Sequence, residues 1–176
     1  MSEMNNRVPL LIISGSMGAG KTTVLSEVSD LLKLKDIAHA AIDLDCLTIM
    51  HPKQSPYGQG LMFLNLAAIW PIYAAAGAKR LVVARVVEDR SDLRSYVEAV
   101  PQAEPVICRL EASLDTIHER LRVREPGMFQ ATGLARSAEL LGILRRAKAE
   151  DFVVDNDSGR FITDVAQEVL SCAGWL

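Results

Sequence analysis

VPLLIISGSMGAGKTTVLSEVSDLLKL, residues 8–34, places three patterns in immediate succession. Val8–Ser14 is a short apolar run of strand length, which reads as a buried β-strand. Thr22–Leu34 repeats its apolar residues at helical spacing, with Val24, Leu25, Val28, Leu31 and Leu32 on one face. Between them, Gly15-Ser16-Met17-Gly18-Ala19-Gly20-Lys21-Thr22 satisfies GxxxxGK[ST] at every fixed position. Glycines let the backbone bend so that successive N–H groups converge on an anion. The following helix adds the partial positive charge of its N-terminus. Lys21 is expected on the β- and γ-phosphates and the Thr22 hydroxyl on Mg²⁺. The residues from Gly15 to Thr22, with Thr23 beside them, are therefore candidate contacts to ATP. A glycine-rich turn without a ligand is the competing reading. A chance match in a chain this long is on the order of 1%, and the correct strand and helix flanks lower it.

Working outward, short β-like runs alternate with helix-like stretches. Strands are expected at Ala38–Asp43, Arg80–Val87, Pro105–Leu110 and Phe152–Val154. Helices are expected at Leu61–Ala76, bent or interrupted by Pro71, and at Ser91–Val100. Further helices are expected at Leu114–Arg124 with Ser113 as N-cap, at Leu134–Ala149 and at Phe161–Ala173. Thr48–Gln59 carries Pro52, Pro56 and Gly58 and reads as a loop. This alternation predicts an α/β domain with a parallel sheet and helices on both faces. Ligands of such folds sit beyond the carboxyl ends of the strands, where strand order switches.

Candidate chemistry gathers there. Asp43-Leu44-Asp45 closes the second strand, and strand alternation would turn both carboxylates to one side. Asp45 is the candidate base for an acceptor hydroxyl, and Asp43 the candidate for the metal shell. One carboxylate acting only as a cap is the alternative. Arg120 and Arg124 share a helix face, Arg122 points away, and Glu125-Pro126-Gly127 follows. Residues 120–133 thus read as a lid whose arginines neutralise a transferring phosphate, against a dipole-stabilising role at the helix end. Arg85 interrupts an apolar strand; it either holds an anionic group of a second substrate or pairs with Asp89 or Glu88. Asn65 and Trp70 are candidate substrate contacts, with core packing the alternative for Trp70. His39, His51 and His118 are scattered and read as structural. Asp155–Gly159 is either an adenine-edge loop or an ordinary turn.

The bulk properties set outer bounds. The 176 residues suit one domain over the whole chain. A net charge of −3 argues against a nucleic-acid binder. Cys46, Cys108 and Cys172 are odd in number and lack metal-ligand spacing, which suits free thiols in the cytoplasm. No apolar run has the length and composition of a membrane span.

With these residues assembled, the chain resembles the small P-loop kinases of the gluconate kinase, adenylylsulfate kinase and shikimate kinase group, and the chloramphenicol phosphotransferase branch. Four segments carry the resemblance: ISGSMGAGKTT, AIDLDCL, ERLRVREPGMF and DFVVDNDSGRFITDVAQEVL. It implies a three-layer P-loop NTPase fold with a five-stranded parallel sheet in the order 2-3-1-4-5. It also implies Asp45 as acceptor base, Arg120 on adenine and Arg124 on phosphate. Two features depart from gluconate kinases: Ala41 to Asp45 stand where a Gly-Asp pair is usual, and Met128-Phe129 where a His-Phe pair is usual. The named substrates therefore do not transfer. The leading expectation is a kinase that moves the γ-phosphoryl of Mg-ATP to a hydroxyl of a small molecule, as a monomer or homodimer. A nucleotide-driven switch and an NTP hydrolase are the alternatives.

Overall fold

The computed structural model describes residues 7–52, 59–124 and 127–176. Five strands carry the frame: β1 (Val8–Gly15), β2 (Ala40–Asp43), β3 (Leu81–Ala84), β4 (Ala103–Glu111) and β5 (Phe152–Asp155). Six α-helices join them: α1 (Lys21–Leu34), α2 (Gln59–Ala75), α3 (Leu93–Ala99), α4 (Leu114–Arg124), α5 (Gln130–Ala147) and α6 (Ile162–Cys172). The strands pair in the order β2-β3-β1-β4-β5, every pair parallel. This is the order that the resemblance implied.

The central strand shows why the layers form. β1 is buried on both faces, as the strands of a parallel sheet must be. Leu11 and Ile13 face one core with Val24, Val28 and Leu32 of α1 and Val165 and Val169 of α6. Leu10 and Ile12 face the other, with Met62, Leu66 and Trp70 of α2 and Tyr96 of α3. A period of two along the strand divides its side chains between the two helical layers. A third, smaller cluster ties α4 to α5 through Ile117, Leu121 and Leu141, with Met17 packed against it.

Several boundaries differ from expectation for local reasons. β2 ends at Asp43, and Leu44–Thr48 wind into a 3₁₀ helix capped by the Asp43 carboxylate. β3 stops at Ala84, opposite Ile13 of β1 and level with Asp43, the last residue of β2. α2 runs through Pro71 without interruption. α5 begins at Gln130, a turn before the apolar periodicity that marks it in sequence. Residues 53–58 of the expected loop, like Glu125 and Pro126 of the expected lid, lie outside the described residues. Among the described residues, no helix is long and apolar enough to cross a membrane.

Ile12 is wholly buried at mid-strand in the central strand. Ile12→Ala is expected to lower the unfolding free energy by about 2–5 kcal/mol, read as a lower urea midpoint at unchanged slope. An unchanged midpoint would mean the sheet centre is packed differently.

Candidate nucleotide and acceptor site

The loop from Gly15 to Gly20 turns out of β1 and feeds α1 directly. Its bends occur where a side chain would be strained. Gly18 has φ +79°, and a Cβ there would stand 2.9 Å from the Ile117 carbonyl oxygen. Gly20 has φ +93°, and a Cβ there would stand 2.5 Å from Asn156 Nδ2. Outside contacts fix the loop. The Ser16 hydroxyl donates to the Ser137 carbonyl at 2.8 Å, so that side chain turns toward α5 rather than toward a ligand. Buried Asn156 donates through Nδ2 to the Ala19 carbonyl at 2.7 Å. Ala19 itself packs in the core, so its expected contribution to ATP binding is its backbone alone.

Lys21 Nζ donates to the Gly15 and Ser16 carbonyls, both at 3.1 Å, which folds the ammonium back over the loop. Burial pulls its pKa down to about 8, against the upward effect of the Asp45 and Asp43 carboxylates. Arg124 and Arg85 add to the downward shift. Thr22 Oγ1 donates to Asp43 Oδ2 at 2.6 Å. The same carboxylate accepts the Asp45 N–H at 3.0 Å through Oδ1.

The acidic pair thus reaches the loop for a reason other than strand alternation. Asp43 is the last strand residue and Asp45 lies in the 3₁₀ helix. Asp45 pairs with Arg85, whose side chain is mostly buried just beyond β3. Asp45 is a partner that the two readings of Arg85 did not include. Glu88 pairs with Arg136 of α5 at 3.0 Å.

A cavity of about 510 Å³ joins these groups. Its wall combines Met17, Gly18 and Gly20 to Thr23 of the loop with Asp45, Arg85, Glu88, Asp92, Arg124 and Arg136. A second cavity of about 340 Å³ shares Gly18, Gly20, Thr23 and Arg124 with the first and is lined further by Arg120, Asn156, Arg160 and Ile162. Arg120 Nη1 reaches the Gly18 carbonyl at 3.5 Å. Arg120 and Arg124 therefore flank the loop from one helix face. In the cavity wall, burial and the charges of Asp89 and Glu88 raise the Asp92 pKa.

Two expected substrate contacts lie elsewhere. Asn65 Nδ2 donates to the Leu47 carbonyl at 2.9 Å and holds the 3₁₀ helix in place. Trp70 is buried in the core beneath the sheet. Neither lines the cavity among the described residues. Asp92 and Arg136 are among the wall residues that sequence reading did not select, and Glu88 was weighed only as a partner of Arg85. Their spacing carries no motif, and only the fold brings α5 to the end of β3.

The Asp155–Gly159 segment does more than turn the chain. Asp157 accepts hydrogen bonds from Thr116 Oγ1, the Ser158 N–H, Ser113 Oγ and the Ser113 N–H. These hold its pKa down at about 2. They tie the start of α4, the helix that carries Arg120 and Arg124, to the residue after Asn156.

A hard cation finds suitable donors here. Thr22 and Asp43 offer adjacent hydroxyl and carboxylate oxygens beside the loop. Mg²⁺ needs no more from a protein when phosphates and water supply the remaining oxygens.

Two substitutions test this geometry. Gly20→Ala is expected to cost about 1–3 kcal/mol through its positive φ and the displacement of Asn156, seen in chemical denaturation. Wild-type stability would contradict the tight approach. The depressed Asp157 pKa contributes stability that is present above the usual carboxyl range and lost as pH falls from about 4 toward 2. The stability gap between wild type and Asp157→Asn is therefore expected to close over that interval in urea titrations. A gap constant with pH would remove those hydrogen bonds from the account.

No protein-family model matches the chain, and no curated protein matches it by sequence. Solved structures match it throughout. A gluconokinase from Sinorhizobium meliloti superposes with TM-score 0.63 at 18% identity, covering 96% of this chain and 93% of that one. Shikimate kinase from Acinetobacter baumannii, in complex with shikimate, gives TM-score 0.63 at 17% identity, covering 93% and 92%. The Mycobacterium tuberculosis APS kinase, in complex with AMPPNP and APS, gives 0.59 at 17%, covering 96% and 98%. The chain has the fold of the small P-loop kinases.

Proposed function

We propose that the protein is an ATP-dependent kinase that transfers the γ-phosphoryl group to a hydroxyl of a small molecule. One observation carries this reading: the glycine loop with Lys21 and the Asp45–Arg85 pair line one cavity. A phosphoryl donor and an acceptor would meet inside it. A purely nucleotide-binding switch has no need of a carboxylate–arginine pair in that cavity.

In this reading the loop amides and Lys21 hold the β- and γ-phosphates. The nucleoside extends toward the second cavity, along Arg120 and Asn156. Thr22 and Asp43 hold Mg²⁺, which when bound offsets phosphate charge. The Thr22–Asp43 hydrogen bond supports that assignment, because it sets both oxygens on the same spot. Arg85 engages Oδ1 of Asp45, and the acceptor hydroxyl donates to Oδ2. The hydroxyl oxygen bonds to the γ-phosphorus, the bridging bond to the β-phosphate breaks, and ADP leaves. The hydroxyl proton passes to Asp45. Lys21, Arg120 and Arg124 stabilise the charge on the moving group.

The test is ADP release from Mg-ATP with and without a pool of hydroxylated metabolites. Acceptor-dependent ADP is expected. ADP at the same rate without an acceptor would identify a hydrolase, and tight ATP binding without ADP a switch. Lys21→Ala is expected to lower kcat/KM by about 10³-fold or more. Asp45→Asn is expected to lower kcat by about 10²–10⁴-fold, with ATP affinity close to wild type by calorimetry. Full turnover in Asp45→Asn, alongside a dead Asp43→Asn, would reverse the two carboxylate roles.

A further inference from the structure

α2 is apolar on both sides, yet the described residues cover only one of them. Met62, Leu66 and Trp70 are buried against the sheet. The opposite face presents Leu64, Ala67, Ala68, Pro71, Ile72 and Ala75 to solvent, with Leu64 71% and Ile72 69% exposed. From Gln59 to Ala78 there is no Asp, Glu, Lys, Arg or His, in a chain where 23% of residues are charged. A helix that is hydrophobic all round is normally covered all round. An interfacial membrane helix would carry a basic or polar outer face, and this one carries none.

We propose that the outer face of α2 is a homodimer interface, in which α2 meets its copy antiparallel about a two-fold axis at Ala68. The spacing is self-complementary. Leu64, Ala68 and Ile72 form one row at intervals of four, large-small-large. An antiparallel two-fold sets Leu64 of each copy opposite Ile72 of the other and Ala68 opposite Ala68. Ala67 and Pro71 beside that row leave room for the backbones to approach. A neutral face also gives a differently charged partner nothing to select.

The area suits a modest dimer. A 17-residue helix is about 25 Å long and about 11 Å across. Half its surface is on the order of 500 Å². Two copies then bury about 1,000 Å², the lower bound for a specific interface. The dissociation constant is expected on the order of 10 μM. The interface also bears on the site. Gln59 at the start of α2 lines the main cavity, and Asn65 holds the 3₁₀ helix that carries Asp45.

Sedimentation velocity of the full chain from about 2 to about 200 μM tests the proposal across the concentration range that such an affinity requires. The weight-average mass is expected to rise from 19.2 kDa toward twice that value. Ile72→Glu is expected to raise the dissociation constant at least about 30-fold, with the melting temperature unchanged at about 2 μM, where both proteins are mostly monomeric and the side chain is exposed. Leu64→Lys combined with Ile72→Glu is expected to recover the dimer, because each Lys then faces a Glu of the other copy. A monomer at every concentration overturns the proposal, as does a dimer indifferent to Ile72→Glu. A double variant that stays monomeric overturns the antiparallel arrangement. A monomer that co-sediments with phosphatidylcholine–phosphatidylglycerol vesicles through Leu64 and Ile72 assigns the face to a membrane instead.

Discussion

The structure depends on holding five residues of backbone, Ser16 to Gly20, in a conformation that no regular element supports. Such a loop exposes N–H groups without internal partners and uses positive φ values at Gly18 and Gly20. The chain meets that requirement by clamping the loop from outside. Asn156 grips Ala19, Ser137 accepts from Ser16, and the Ile117–Leu121 stretch closes over Gly18. β5, α5 and α4 are thus all engaged in shaping one turn. The sheet order follows the same logic. Placing β1 between β3 and β4 brings both acidic and basic groups to the loop from opposite sides.

Electrostatics then divides the site. Lys21 is buried enough to lose part of its affinity for a proton, and two carboxylates restore some of it. The energetic gain from the Asp45–Arg85 pair is small in itself, since the Asp45 side chain is half exposed. Its value is positional: it fixes a carboxylate in the cavity wall. Asp157 plays a corresponding part at the start of α4, where four donors converge on one carboxylate.

Much of this was legible in the chain. The loop motif, its strand and its helix specify each other, and the alternation of elements specifies the layered sheet. The parts that were not legible depend on contacts across long sequence separations. Asp43 and Asp45 read as a strand pair because sequence gives no sign that Leu44 starts a 3₁₀ helix. Arg85 pairs with Asp45, 40 residues away, which no local spacing announces. Trp70 could serve substrate or core by type, and its helix turns it into the core. Arg136 had no motif to mark it, and only the docking of α5 brings it to Glu88.

The central claim is that backbone amides of this loop, and not merely the cavity around them, hold the phosphates. Amide ¹H–¹⁵N spectra during titration with Mg-ADP and Mg-ATP test it most directly. The account predicts that the resonances of Gly18 to Thr22 shift most, with further shifts for the γ-phosphate at Lys21 and Asp45. Nucleotide binding that leaves Gly18 to Thr22 unmoved would contradict it, as would the absence of any binding.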